Sequence, residues 1–71
     1  MLELKISLFH DGQLVAKLKT SDGTMVESKG SASSLVLALK NLRGGLHAVG
    51  YKDESDEIQT VNDAIKKFEK V

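Results

Sequence analysis

Two Asp-Gly pairs, Asp11-Gly12 and Asp22-Gly23, constrain this chain more than any other feature, because each sits between runs of alternating character. Leu2, Leu4, Ile6 and Leu8 alternate with Glu3, Lys5, Ser7 and Phe9. Leu14, Ala16 and Leu18 alternate with Val15, Lys17 and Lys19. A period of two is that of a strand with one apolar face, and Asp-Gly is a strong hairpin signal. Loop length then fixes register. A two-residue loop would pair Phe9 with Leu14 and Lys5 with Leu18, sending the two apolar sets to opposite faces. A three-residue loop, His10-Asp11-Gly12, pairs Leu8 with Leu14, Ile6 with Ala16 and Leu4 with Leu18, and buries one continuous face. The expected connection is a type I turn followed by Gly12 in the left-handed region as a bulge.

The same reasoning applies at Ser21-Asp22-Gly23. There Leu18 pairs with Val26 on the inner face. On the outer face Lys17 lies between Lys5 and Glu27, and Glu3 lies opposite Lys19. Such opposite-charge neighbours contribute about 0.2–1 kcal/mol each. The expectation is an antiparallel meander of three strands, over residues 2–9, 14–20 and 24–29.

The following stretch changes period. Leu35, Leu39, Leu42, Leu46 and Val49 recur every three or four residues, so a helix places them on one stripe. Gly30 breaks the strand before it, and Ser31, Ser33 and Ser34 offer N-cap hydroxyls. Residues 44–51 admit three readings. The helix can stop at Arg43 with Gly44 past its end, or continue through Gly44-Gly45 at a cost of about 1 kcal/mol per glycine. Leu46 to Tyr51 can also form a short fourth strand. Leu46 and Val49 stay in phase, which favours the continued helix, ending near Gly50. A second stripe, Ile58, Val61, Ala64, Ile65 and Phe68, predicts a helix over residues 56–70. Its acidic start and basic end suit the helix dipole. The fold class is α+β, a three-stranded antiparallel β-meander with two helices packed on one face (β-β-β-α-α), in a single domain spanning residues 1–71.

Seventy-one residues stand near the lower limit for one self-sufficient core. With no cysteine, a disulfide is excluded, and oligomerisation is the staple that remains. The ten basic and ten acidic residues cancel, which weakens generic attraction to nucleic acid or anionic lipid and removes a barrier to self-association. No apolar run is long enough to span a membrane, and the start lacks the pattern of a signal peptide. A cytoplasmic location is expected.

No arrangement of residues points to an enzyme, a cofactor or a metal. His10 and His47 lack the paired spacing of a metal site, and Gly44-Gly45 lacks the spacing and the Lys-Ser or Lys-Thr of a phosphate loop. Lys29 to Ser34, at a helix start, has the makings of an anion site, although most such termini are merely capped. Three strands followed by "GSASSLVLALKNL" resemble the latter part of a double-stranded-RNA-binding domain. That family's first helix has no counterpart here, and Ala32 and Ser33 stand where its lysine pair is expected, so membership is not inferred. Lys5, Lys17, Lys19 and Lys29 would be the contacts of a nucleic-acid reading on the open sheet face, with Phe9 the one aromatic beside them.

Apolar residues outside the core stripes favour a protein partner instead. Val36 and Leu37 lie off the main stripe, Val36 on the side that the second helix would cover. Phe9, Val15 and Met25 lie on the outer sheet face, and Tyr51 follows a glycine. Surplus apolar surface on an uncharged chain is expected to meet a partner. The sequence therefore reads as a small intracellular interaction or regulatory module, comparable in size and type to adaptor, antitoxin-like or phage accessory proteins. It is expected to bind protein, as a homodimer or with another chain. The expected interface residues are Val36, Leu37, Phe9, Met25 and Tyr51, with self-association through the helix side carrying Val36 and Leu37.

Overall fold

The computed structural model describes residues 2–8, 12–28 and 32–69. Strands β1 (Glu3–Leu8), β2 (Leu14–Lys19) and β3 (Met25–Glu27) form one antiparallel sheet in the order β1-β2-β3. Helices α1 (Leu35–Ala48) and α2 (Asp56–Glu69) follow. The architecture is the α+β meander that the alternating runs and the two stripes imply.

The register is the one that buries a single face. Leu4 lies opposite Leu18, Ile6 opposite Ala16 and Leu8 opposite Leu14. Gly12 has φ +81°, in the left-handed region, while Phe9, His10 and Asp11 lie outside the described residues. The second turn is described in full. The Gly23 N–H donates to the Thr20 carbonyl at 3.0 Å, the Thr20 N–H donates to the Thr24 carbonyl at 2.8 Å, and Gly23 has φ +91°. These are the marks of a type I turn closed by a left-handed glycine. The Asp22 carboxylate fastens the turn, accepting from the Thr20 hydroxyl and, at 3.0 Å, from the Thr24 N–H. Those bonds, the hydroxyl first, hold its pKa below the usual carboxylate range.

β3 is shorter than the alternation suggests. Beyond Glu27 the Ser28 N–H still donates to the Ala16 carbonyl at 2.9 Å, but the Ala16 N–H is received by the Ser28 hydroxyl, at 3.1 Å. Lys17 faces Glu27, so an unbroken ladder would bring residue 30 opposite Leu14. Ala32 stands there instead, exchanging two backbone hydrogen bonds with Leu14. The chain therefore carries two extra residues on this side, and Lys29, Gly30 and Ser31 lie outside the described residues.

Ser34 caps α1, its hydroxyl accepting from the Leu37 N–H at 3.2 Å. The helix runs through Gly44 and Gly45 to Ala48, as the continued phase of Leu42 and Leu46 predicts, and Gly50 follows with φ +105°. Ser55 caps α2 in the same way, accepting from the Ile58 N–H at 3.3 Å. Ala16, Leu18, Ala38, Leu39, Leu42, Leu46, Ile58 and Val61 are wholly buried and, with Ile65 and Ala32, make one core.

Four residues depart from expectation, one of them Phe68 of the second stripe, which is 38% exposed near the end of α2. Val49, assigned to the core stripe, is 63% exposed, because the helix ends at Ala48 and its phase no longer applies. Val15, expected on the surface, is buried; it sits on the central strand, with Ser7 opposite it. Ile6, on the inner face, is 39% exposed, because α1 packs on β2 and β3 and leaves that stretch of β1 uncovered.

Candidate interaction site

α1 lies close against β3 at Gly45. A Cβ on Gly45 would stand 3.4 Å from the Glu27 carbonyl oxygen and 3.9 Å from Val26 Cγ1. The helix then runs on past the strand. Between the two lies an open groove of about 670 Å³, lined by Met25, Val26 and Glu27 on the sheet side and by Gly45, Val49 and Tyr51 on the other. Tyr51 is held there by its backbone, its N–H donating to the Leu46 carbonyl at 3.0 Å, and its half-buried ring packs against the core. Met25, on an edge strand with neighbours on one side only, is 44% exposed. The fold thus brings together two of the residues expected at an interface and adds Val49, which the stripe had assigned to the interior.

Val36 and Leu37 do not join them. Val36 is half-buried and packs against the core, while Leu37, one residue on, is 49% exposed, so the pair forms no common patch. Phe9 lies outside the described residues. Leu37 shares its side of α1 with Asn41, Gly44 and Ala48, and a shallow hollow runs along Lys40, Asn41, Gly44, Gly45 and Ala48 into the groove.

The sheet edges differ. β3 has three residues and α1 at its side; β1 has six, and among the described residues nothing hydrogen-bonds to its outer edge. The apolar face of β1 is incompletely covered, with Leu2 and Leu4 half-buried and Ile6 more exposed still. Sequence reasoning placed Ile6 inside. The missing information is which strand the helices lean toward, and no local pattern encodes it.

The charged outer face of the sheet is largely self-satisfied. Lys5 Nζ lies 3.6 Å from Glu3, and Lys17 Nζ lies 3.7 Å from Glu27. Lys19 stands opposite Glu3 on one side and Met25 on the other. Lys29 lies outside the described residues. His47 Nε2 is 2.8 Å from an Asp53 carboxylate oxygen, an exposed pair at the start of the link between the helices. Arg43 donates to the Asn62 side-chain oxygen at 2.7 Å and ties α1 to α2. Among the described residues no three metal-binding side chains gather, and no helix is long and apolar enough to cross a membrane. Among the described residues the arrangement offers apolar surface, a groove and a strand edge without a hydrogen-bonded neighbour, which suit binding by shape and burial. Comparison with protein-family models, with curated proteins and with solved structures finds no match for this chain.

Proposed function

We propose that this chain is a small protein–protein interaction module that acts without catalysis and works as a homodimer. One observation carries the reading. Large apolar side chains stand exposed in a chain of only 71 residues with no net charge, among them Ile6, Met25, Leu37 and Val49. Such surface on a small protein marks a place where another surface fits, and a zero net charge leaves little repulsion between copies. The competing reading, nucleic acid on the basic sheet face, is weakened by the acidic partners of Lys5 and Lys17.

Sedimentation equilibrium over a range of concentrations, with thermal melts at the same concentrations, tests the reading. The expected result is a mass rising from one chain toward two, with a melting temperature that rises in step. A single-chain mass at every concentration contradicts it. Retention on heparin at moderate salt by a protein that stays monomeric would favour nucleic acid instead.

A further inference from the structure

We propose that two copies of this chain join β1 to β1 across a two-fold axis through Leu4, forming one continuous six-stranded antiparallel sheet. The inference rests on the self-association reading above and names its surface.

The free backbone groups of β1 decide how it can pair. On the side of β3 and its continuation, β2 and the residue after it bond through even-numbered positions: the Thr20 N–H donates to the Thr24 carbonyl, the Ala16 carbonyl accepts from the Ser28 N–H, and Leu14 exchanges two bonds with Ala32. In an antiparallel ladder the bonding direction alternates along a strand. The odd-numbered residues Val15, Lys17 and Lys19 therefore bond toward β1, where they face Ser7, Lys5 and Glu3. It follows that the N–H and C=O groups of Leu4 and Ile6 point outward, away from the sheet. An edge of this length with free donors and acceptors is a template for a further strand.

Parity then restricts the partner. A second β1 can bond only in registers that set even positions against even. With the axis at Leu4, Leu4 meets the partner's Leu4 and Leu2 meets the partner's Ile6, all through outward-facing groups. On the charged face Glu3 meets the partner's Lys5, and Lys5 the partner's Glu3, so opposite charges stand directly across from each other twice. Moving the axis to Lys5 sets two lysines against each other. Moving it to Ile6 sets Lys5 against the partner's Ser7 and leaves Glu3 without a basic residue opposite it across the axis. Cross-strand pairs of opposite charge favour a register and like pairs oppose it, so the axis at Leu4 is selected.

The apolar face agrees with this choice. Ile6, 39% exposed, and the half-buried Leu2 and Leu4 would form one row with their counterparts across the axis. Glu3 and Lys5 now find each other only within their own strand, at 3.6 Å and with half or more of each side chain exposed. The groove of Met25, Val49 and Tyr51 lies at the opposite edge, so the dimer would carry one open groove at each end of the sheet.

Charge reversal tests the register. Glu3→Lys alone, or Lys5→Glu alone, sets like charges across the axis at both places and should weaken dimerisation roughly tenfold or more. A one-to-one mixture of the two variants restores opposite charges at both places and should dimerise like the parent. Both side chains are exposed, and melts at low concentration confirm that each variant is folded. A parent that dimerises while both single variants dimerise equally well overturns this interface and leaves the self-association reading standing. A parent that is monomeric throughout overturns both.

Discussion

β3 is three residues long and shielded by α1, whose Gly45 packs close to the Glu27 carbonyl; β1 is six residues long and has no such cover among the described residues. The two strands flank the same central strand and share the same core, yet only one presents its backbone to solvent in a form that another chain can extend. Proteins blunt sheet edges by shortening a strand, interrupting its ladder or covering it with a helix. All three devices are applied at β3: three paired residues, a displaced bridge at Ala32, and a helix alongside. At β1 none is applied among the described residues, and the charges are placed so that the strand complements itself. The difference teaches that an edge left open in an otherwise defended sheet is a candidate for use.

The largest expected effect removes both edges together. Leu39, on α1, is wholly buried in the core, and Leu39→Ala should cost about 2–5 kcal/mol. That is a large part of the stability of so small a domain, and chemical denaturation should show the midpoint collapse. A variant that unfolds like the parent would mean that the sheet does not depend on α1.

The covered edge can be broken separately. Gly45→Val puts a branched side chain against the Glu27 carbonyl and should cost about 1–3 kcal/mol. Gly44, one residue away, has nothing within 4 Å of where a Cβ would be, so Gly44→Ala should stabilise by about 0.5–1 kcal/mol. Equal changes in melting temperature at the two positions would mean that α1 does not pack closely on β3 at Gly45.

The two turns that present the edges should behave alike. Gly12 and Gly23 both have positive φ, and replacing either with Ala should cost about 1 kcal/mol or more. This part of the fold was legible from residue types alone. Asp-Gly placement, period two and the opposite-charge pairs Glu3–Lys19 and Lys17–Glu27 agree on one register, and that register is found although it also sets Lys5 opposite Lys17. The path of α1 through two glycines was legible too, because Leu42 and Leu46 hold phase across them. The groove was not. Met25 and Tyr51 could each be recognised as surplus apolar residues, but their meeting depends on how closely α1 approaches β3, a contact between residues far apart in sequence. Val49 was misplaced for a local reason, since a stripe predicts burial only while the helix lasts. The openness of β1 was hidden for the same reason as the groove: alternation shows which face is apolar and not which strand a helix will leave bare.

The smallest effect concerns the turn into β3. Asp22 has its pKa depressed by the Thr20 hydroxyl and then by the Thr24 N–H. A carboxylate with a depressed folded pKa stabilises the fold above the unfolded value, about 3.9, and that contribution is lost as pH falls through the folded value. Thr20→Val removes the leading cause and should raise the Asp22 midpoint toward the ordinary range in a carbon-13 titration, with less stability retained in mild acid. An unchanged midpoint would mean that the hydroxyl does not hold the carboxylate.

The contrast between the edges is tested most directly by amide hydrogen exchange measured against protein concentration. The account predicts that the Leu4 and Ile6 N–H groups exchange quickly in dilute protein and become protected as concentration rises, while those of Met25 and Glu27 stay unchanged. Protection at Leu4 and Ile6 that ignores concentration, or new protection appearing at Met25 and Glu27 instead, would contradict it.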